Sequence, residues 1–291
     1  MSRILVTGAS GQLGQCLKRA SKNSPFSWDF IGRLTLDLSQ TALLEHRLAE
    51  LLDTKETATS SPYTYFIHTA AYTQVDAAET APETAFVINE TATVYIAKAC
   101  AARGICLIYI STDFVFSGVS SRPWRTSDPI SPQGVYAKSK AAGEKVVAQF
   151  CPMHYVIRTS WLYSDFENNF VKTMLRLGAS QPSIKVVEDQ LGTPTSALDL
   201  ARAIVGLISA PGIPFGLHHF SNLGSTHWAG FAREIFKQSG MSTVVRGISS
   251  QEFGAAAPRP PFSVLKNSMG LTPRPWQEAL TEVLGLIENK E

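Results

Sequence analysis

Residues 4–20 read ILVTGASGQLGQCLKRA, and this stretch decides the fold. Ile4 to Thr7 form a short apolar strand, and Gly8, Gly11 and Gly14 follow at once with the spacing G-x-x-G-x-x-G. Glycines here allow a tight turn and close backbone approach to a pyrophosphate, which then rests on a helix N-terminus. The strand before and the helix after separate a dinucleotide-binding turn from a merely structural one. The expected fold is α/β, a Rossmann-type doubly wound parallel sheet.

A second strand near residues 28–32 ends in Arg33. An acidic residue in that region holds a ribose 2′-hydroxyl, whereas an arginine accommodates a 2′-phosphate. Arg33 therefore favours NADPH, with NADH as the alternative. Residues 36–39, LDLS, read as a strand end passing into a helix capped by Ser39 or Asp37. Residues 58–64 read as a polar loop, before a third strand that runs into Thr69, Ala70 and Ala71. A helical pattern covers 83–103, contains Asn89 and stops at Gly104. The apolar strand 105–110 ends in Ser111, Thr112 and Asp113, facing the crevice where such sheets bind ligands.

The loop 118–132 then leads into VYAKSKAAGE, where Tyr136 precedes Lys140 by one helical turn. A lysine cation beside a phenol favours the phenolate, so the pair is a candidate for acid–base work near neutral pH. The Thr112 hydroxyl can polarise a substrate carbonyl. After a strand at 154–159 the regular alternation loosens. The reading is a nucleotide-binding domain over 1–163, rejoined by later segments within 184–221, and a smaller irregular substrate lobe within 164–291.

Composition excludes several classes. The net charge of +2, without a basic run, gives nucleic acid no footprint, and 44% hydrophobic residues suffice for a large core. Cys16, Cys100, Cys106 and Cys151 lack metal-ligand spacing and read as buried thiols. Met1 runs almost directly into a strand and no apolar run reaches bilayer length, so the expectation is a cytoplasmic protein without a membrane partner.

The glycine turn, the hydroxyl after strand four and Tyr-x-x-x-Lys on the next helix resemble the extended short-chain dehydrogenase/reductases. STDFVFSG (111–118) and DQLGTPT (189–195), with VYAKSKAAGE, IRTSWLY and APRPPFSVL, resemble the dTDP-4-dehydrorhamnose reductase family in particular. That resemblance implies NADPH-dependent reduction of the C4 ketone of a dTDP-linked sugar, supplying rhamnose for surface polysaccharide. It implies a catalytic trio of Tyr136 as proton donor, Lys140 holding the nicotinamide ribose and lowering the Tyr136 pKa, and Thr112 orienting the ketone. It places Gly11, Gln12 and Leu13 on the pyrophosphate, and Asp37, Leu38 and Thr69 to Ala71 on adenosine and ribose. Asp113 and Trp161 match sugar-nucleotide contacts, Asn169 is a further substrate candidate, and Arg259 is either a diphosphate partner or a surface arginine.

The pattern also departs from the family. Glutamates that hold a bridging Mg²⁺ in some members align near Cys16 and Leu198, which offer no oxygen ligand. No metal is expected, and the chain is expected to be a monomer or a metal-free homodimer. Thr126 stands where glutamate is common and Phe262 where asparagine is, which bears on the exact sugar. Two other readings remain at this level: a sister 4-ketoreductase or nucleotide-sugar epimerase, and a non-catalytic partner resembling the β subunit of methionine adenosyltransferase.

Overall fold

The computed structural model describes residues 2–53, 61–210 and 212–289. Residues 58–60 of the expected polar loop at 58–64 lie outside the described residues; Tyr63 and Thr64 already belong to a strand. The first half comprises β1 (Arg3–Thr7), α1 (Gln12–Ala20), β2 (Ser27–Ile31), α2 (Thr41–Leu52), β3 (Tyr63–His68), α3 (Val75–Thr80), α4 (Pro82–Phe86), α5 (Ala92–Ala102), β4 (Cys106–Thr112), α6 (Val135–Phe150) and β5 (His154–Thr159). The second half comprises β6 (Leu162–Tyr163), α7 (Phe170–Ser180), β7 (Ser183–Val187), β8 (Leu191–Gly192), β9 (Thr195–Ser196), α8 (Ala197–Ser209), β10 (Gly216–His219), β11 (Thr226–His227), α9 (Trp228–Gln238), β12 (Val244–Ile248), α10 (Ser250–Phe253) and α11 (Trp276–Glu288).

The main sheet has six strands in the order β10-β5-β4-β3-β1-β2, and every pairing is parallel. Alternate side chains on each strand enter different cores because the strand period is two. Ile4, Val6, Ile67, Ile108 and Ile157 pack with α1 and α8 on one face. Leu5, Phe66, Leu107 and Val156 pack with α2, α5 and α6 on the other. A third cluster holds the lobe together, with Tyr163, Ile184, Phe231, Trp276 and Leu280 at its centre.

Three expectations change. Residues 36–38 form no strand, because the Asp37 carboxylate accepts the Ser39 N–H at 3.0 Å and its hydroxyl at 2.7 Å and closes a turn. Neither residue caps α2, whose N-cap is Gln40 without a side-chain bond. In the returning segment 184–221, β7 pairs with β12 in the lobe, whereas α8 and β10 pack on or join the main sheet. The helix expected at 83–103 is interrupted between α4 and α5 by a π-turn, Val87–Thr91, before Gly104 ends it at φ 64°. Asn89 sits in that turn. Its amide accepts the Tyr72 N–H and donates to the Tyr72 carbonyl and the Ser139 hydroxyl, so it is a buried anchor between α6 and the loop after β3.

Candidate active site

The carboxyl ends of β1, β3, β4 and β5 open on one crevice, and β1 lies where the sheet order reverses. Gly8 takes φ 70°, and a Cβ there would stand 2.6 Å from Thr69 Oγ1 and 2.8 Å from the Ala70 nitrogen. Thr69 to Ala71 therefore border the glycine turn directly. Gly11 is the N-cap of α1 and supplies no side-chain cap, so the first-turn N–H groups are left for an anion. This cradle fits a dinucleotide diphosphate. Gln12 Oε1 instead accepts from Ser164 and Asn169, tying the turn to the lobe, and Leu13 and Leu38 are core residues.

Arg33 follows β2 by two residues with its side chain 79% exposed, and its Nε meets Asp37 at 3.1 Å. The Ser39 hydroxyl and N–H, then Arg33, hold the Asp37 carboxyl below its ordinary range. With an exposed guanidinium two residues after β2, tied on one side only to Asp37, this corner fits a 2′-phosphate.

Thr112, Tyr136 and Lys140 come together across β4 and α6. The Thr112 hydroxyl accepts the Phe114 N–H at 3.2 Å and donates to Asp113 at 3.1 Å, and it lies close enough to the Tyr136 phenol to favour its ionised form. Burial pushes that phenol up to about 12, although the Thr112 hydroxyl works in the other direction. The phenol thus stays above its ordinary value, because desolvation outweighs the Thr112 contact. Lys140 is itself pushed down to about 7 by burial, and its Nζ lies 4.0 Å from the centre of the Tyr109 ring. Asp113 is 2% exposed, and burial raises its carboxyl to about 7. Its Oδ2 meets no hydrogen-bond donor among the described residues.

Trp161 stands beyond β5 with φ 47°, a backbone conformation costly for a side chain with a Cβ. It stacks on Trp228 at 3.6 Å and 8°, and a Cβ on Gly192 would lie 2.5 Å from its ring. It is both a packed aromatic and a partly exposed wall. Asn169 spends its side chain on capping α7 and on Gln12. Arg259 makes a two-point ion pair with Asp76 at 2.6 and 3.0 Å, so its guanidinium faces a carboxylate of α3.

Comparison with known proteins agrees with this geometry. The family model "RmlD substrate binding domain" matches residues 1–288. The dTDP-4-dehydrorhamnose reductase of Streptomyces griseus is 37% identical over 96% of this chain and 92% of its own length. The chain belongs to this reductase family. The spore coat polysaccharide biosynthesis protein SpsK of Bacillus subtilis is 35% identical, covering 98% of this chain and 97% of its own. The dTDP-4-dehydrorhamnose reductase of Bacillus anthracis, solved in complex with NADP, superposes with a TM-score of 0.90 at 36% identity over 98% of this chain and all of that one.

Within this reductase scaffold Cys16 and Leu198 are 0% and 3% exposed in the core shared by α1 and α8, so neither position presents an oxygen to a magnesium ion. Three further residues shape the site. Glu79 binds the N-terminus of α6, Trp228 backs Trp161, and Glu144 joins Arg158. Glu144 alone had a readable signal: it follows Lys140 by one helical turn.

Proposed function

We propose that the protein reduces the C4 ketone of dTDP-4-dehydro-L-rhamnose to dTDP-L-rhamnose with NADPH, for rhamnose-containing surface polysaccharide. The observation that carries this reading is the approach of Thr112 to Tyr136, with Lys140 one turn further along α6, on a parallel sheet whose β1 leads into an uncapped helix N-terminus and whose β2 is followed by Arg33. The Gly8–Gly14 turn and Thr69 to Ala71 would hold the dinucleotide, Arg33 its 2′-phosphate and Lys140 its nicotinamide ribose. NADPH supplies the hydride that the ketone carbon receives. Thr112, turning its one hydroxyl proton away from Asp113, donates a hydrogen bond to the carbonyl oxygen and fixes its direction. As negative charge develops on that oxygen, Tyr136 delivers its phenolic proton, which completes the alcohol. A phenol at about 12 stays protonated at neutral pH, as an acid must. The Lys140 ammonium stabilises the phenolate left behind, until solvent returns its proton.

Asp113, with its free Oδ2, and the Trp161 wall are assigned to the sugar nucleotide. Arg259 reaches the diphosphate only by leaving Asp76. The enzyme works in the cytoplasm as a monomer or as a homodimer without bridging metal. Arg33 disfavours the epimerase alternative, whose members keep NAD tightly bound. The test is NADPH oxidation dependent on dTDP-4-dehydrorhamnose, with Tyr136→Phe losing about 10²–10⁴-fold in turnover while NADPH still binds. A wild type that binds NADPH yet reduces none of the dTDP-, UDP- or GDP-linked 4-keto sugars overturns the reading.

A further inference from the structure

The tyrosine and lysine turns of α6 are continued by a third. Glu144 stands one turn beyond Lys140, and both are almost completely buried, Lys140 at 3% and Glu144 at 8%. The carboxylate is held from two strands. Oε1 accepts the Arg158 Nε–H at 2.8 Å and the Ser111 hydroxyl at 2.5 Å, and Oε2 accepts the Arg158 Nη2–H at 2.6 Å. Arg158 is locked in turn. Its guanidinium lies 4.9 Å from the centre of the Phe116 ring, and Nη1 is 3.5 Å from His219 Nε2 on β10. Ser111 and Arg158 are the residues immediately before Thr112 and Thr159 at the mouth of the crevice.

Among the described residues, one source of negative charge acts on Lys140. His68 of β3 is held neutral by burial, its pKa down to about 3. Tyr109 of β4, beneath the ammonium, is pushed well above its ordinary value and stays a phenol, as does Tyr136 on α6 itself. Glu144 is the remaining partner, and its field opposes the burial that drives Lys140 towards the neutral amine. The Arg158 pair alone does not explain this placement, since a buried ion pair contributes little net stability over apolar residues of the same volume.

We propose that Glu144, fixed by Arg158 and Ser111, is a positioning residue for the reduction: its carboxylate keeps Lys140 in the ammonium form that the reaction uses. The proposal rests on the reading of Lys140 as catalytic. Lys140→Met tests that reading separately, since unchanged turnover in that variant would sink the catalytic assignment whatever Glu144 does.

The experiment is the pH profile of kcat/KM, which reports groups of the free enzyme. In Glu144→Gln the activity lost as pH rises is lost about one pH unit earlier. The deficit is then about tenfold at pH 8 and within about twofold at pH 6. Glu144→Asp recovers part of the shift. Glu144→Gln leaves Arg158 unpaired and can fail to fold, so the deciding variant is Glu144→Gln with Arg158→Met, its fold checked by thermal unfolding. Loss of the charge pair is tolerable for stability there. If Glu144 acts through Lys140, the double variant keeps the shifted limb. If Glu144 only neutralises Arg158, the double variant returns to the wild-type profile and the proposal is wrong.

Discussion

The Glu79 carboxylate accepts the backbone N–H of Val135 at 2.8 Å, across 56 residues of sequence. Gly134, the N-cap of α6, has no side chain to do this, and a Cβ there would stand 2.8 Å from Glu79 Oε1. An acid borrowed from α3 therefore caps the helix whose second residue is Tyr136, and it also meets the positive end of the helix dipole. Removing it in Glu79→Ala should cost about 1 kcal/mol in thermal or urea unfolding. Turnover should fall more than NADPH affinity does, because the first turn of α6 carries the proposed proton donor, Tyr136. Glu79→Gln keeps an acceptor and should lose less of both.

The glycine turn should discriminate sharply between neighbouring glycines. A Cβ at Gly14 would lie 2.2 Å from the Gly8 carbonyl oxygen, a backbone atom that cannot swing away, whereas at Gly11 the same oxygen is 3.4 Å off. Gly14→Ala should therefore weaken NADPH binding at least about tenfold or prevent folding, while Gly11→Ala leaves the fold intact. Fluorescence titration with NADPH on both variants checks the contrast.

Arg33 is exposed and bound only lightly by Asp37. Its replacement by alanine should leave stability within about 0.5 kcal/mol. The ratio of kcat/KM for NADPH over NADH should drop about tenfold or more, through the NADPH value. Equal loss with both cofactors would place the arginine elsewhere than at the 2′-phosphate.

Asp113 gives a pH signature in stability. Its folded-state pKa of about 7 lies above the ordinary 3.8, so the folded protein binds the proton more tightly than the unfolded chain. Stability from this group is complete at low pH and declines as pH rises from about 4 to about 7. The decline is up to roughly 4 kcal/mol as an order of magnitude. Asp113→Asn cannot ionise, so its stability relative to wild type should grow across that window and level off above it. Urea unfolding at pH 4.5, 6 and 7.5 reads this directly, and a constant difference would contradict it.

Short-range physics accounts for what could be read from the chain. Strand alternation, the glycine turn after β1, the strand-end hydroxyl of Thr112 and the one-turn spacing of Tyr136 and Lys140 all follow from periods of two and 3.6 residues. The sign of the Tyr136 shift did not follow, because spacing shows a neighbouring cation and says nothing of how deeply the phenol is desolvated. Residues 36–38 misled for a similar reason: the turn closed by Asp37 and Ser39 overrode an apolar pattern suited to a strand.

By itself the sequence determined the doubly wound sheet and the glycine turn and singled out Thr112, Tyr136 and Lys140 as candidates, since a strand end, a strand–helix turn and a one-turn spacing are each written within a short stretch. Tertiary structure alone decided which groups surround that trio. Asp76 with Arg259, Glu79 with Val135, Trp161 with Trp228 and Arg158 with His219 are each joined across tens of residues or more. No local period encodes such pairs. They arise when packing the sheet, α6 and the lobe brings distant chain segments to one desolvated place, where burial sets both the geometry and the charge of the site.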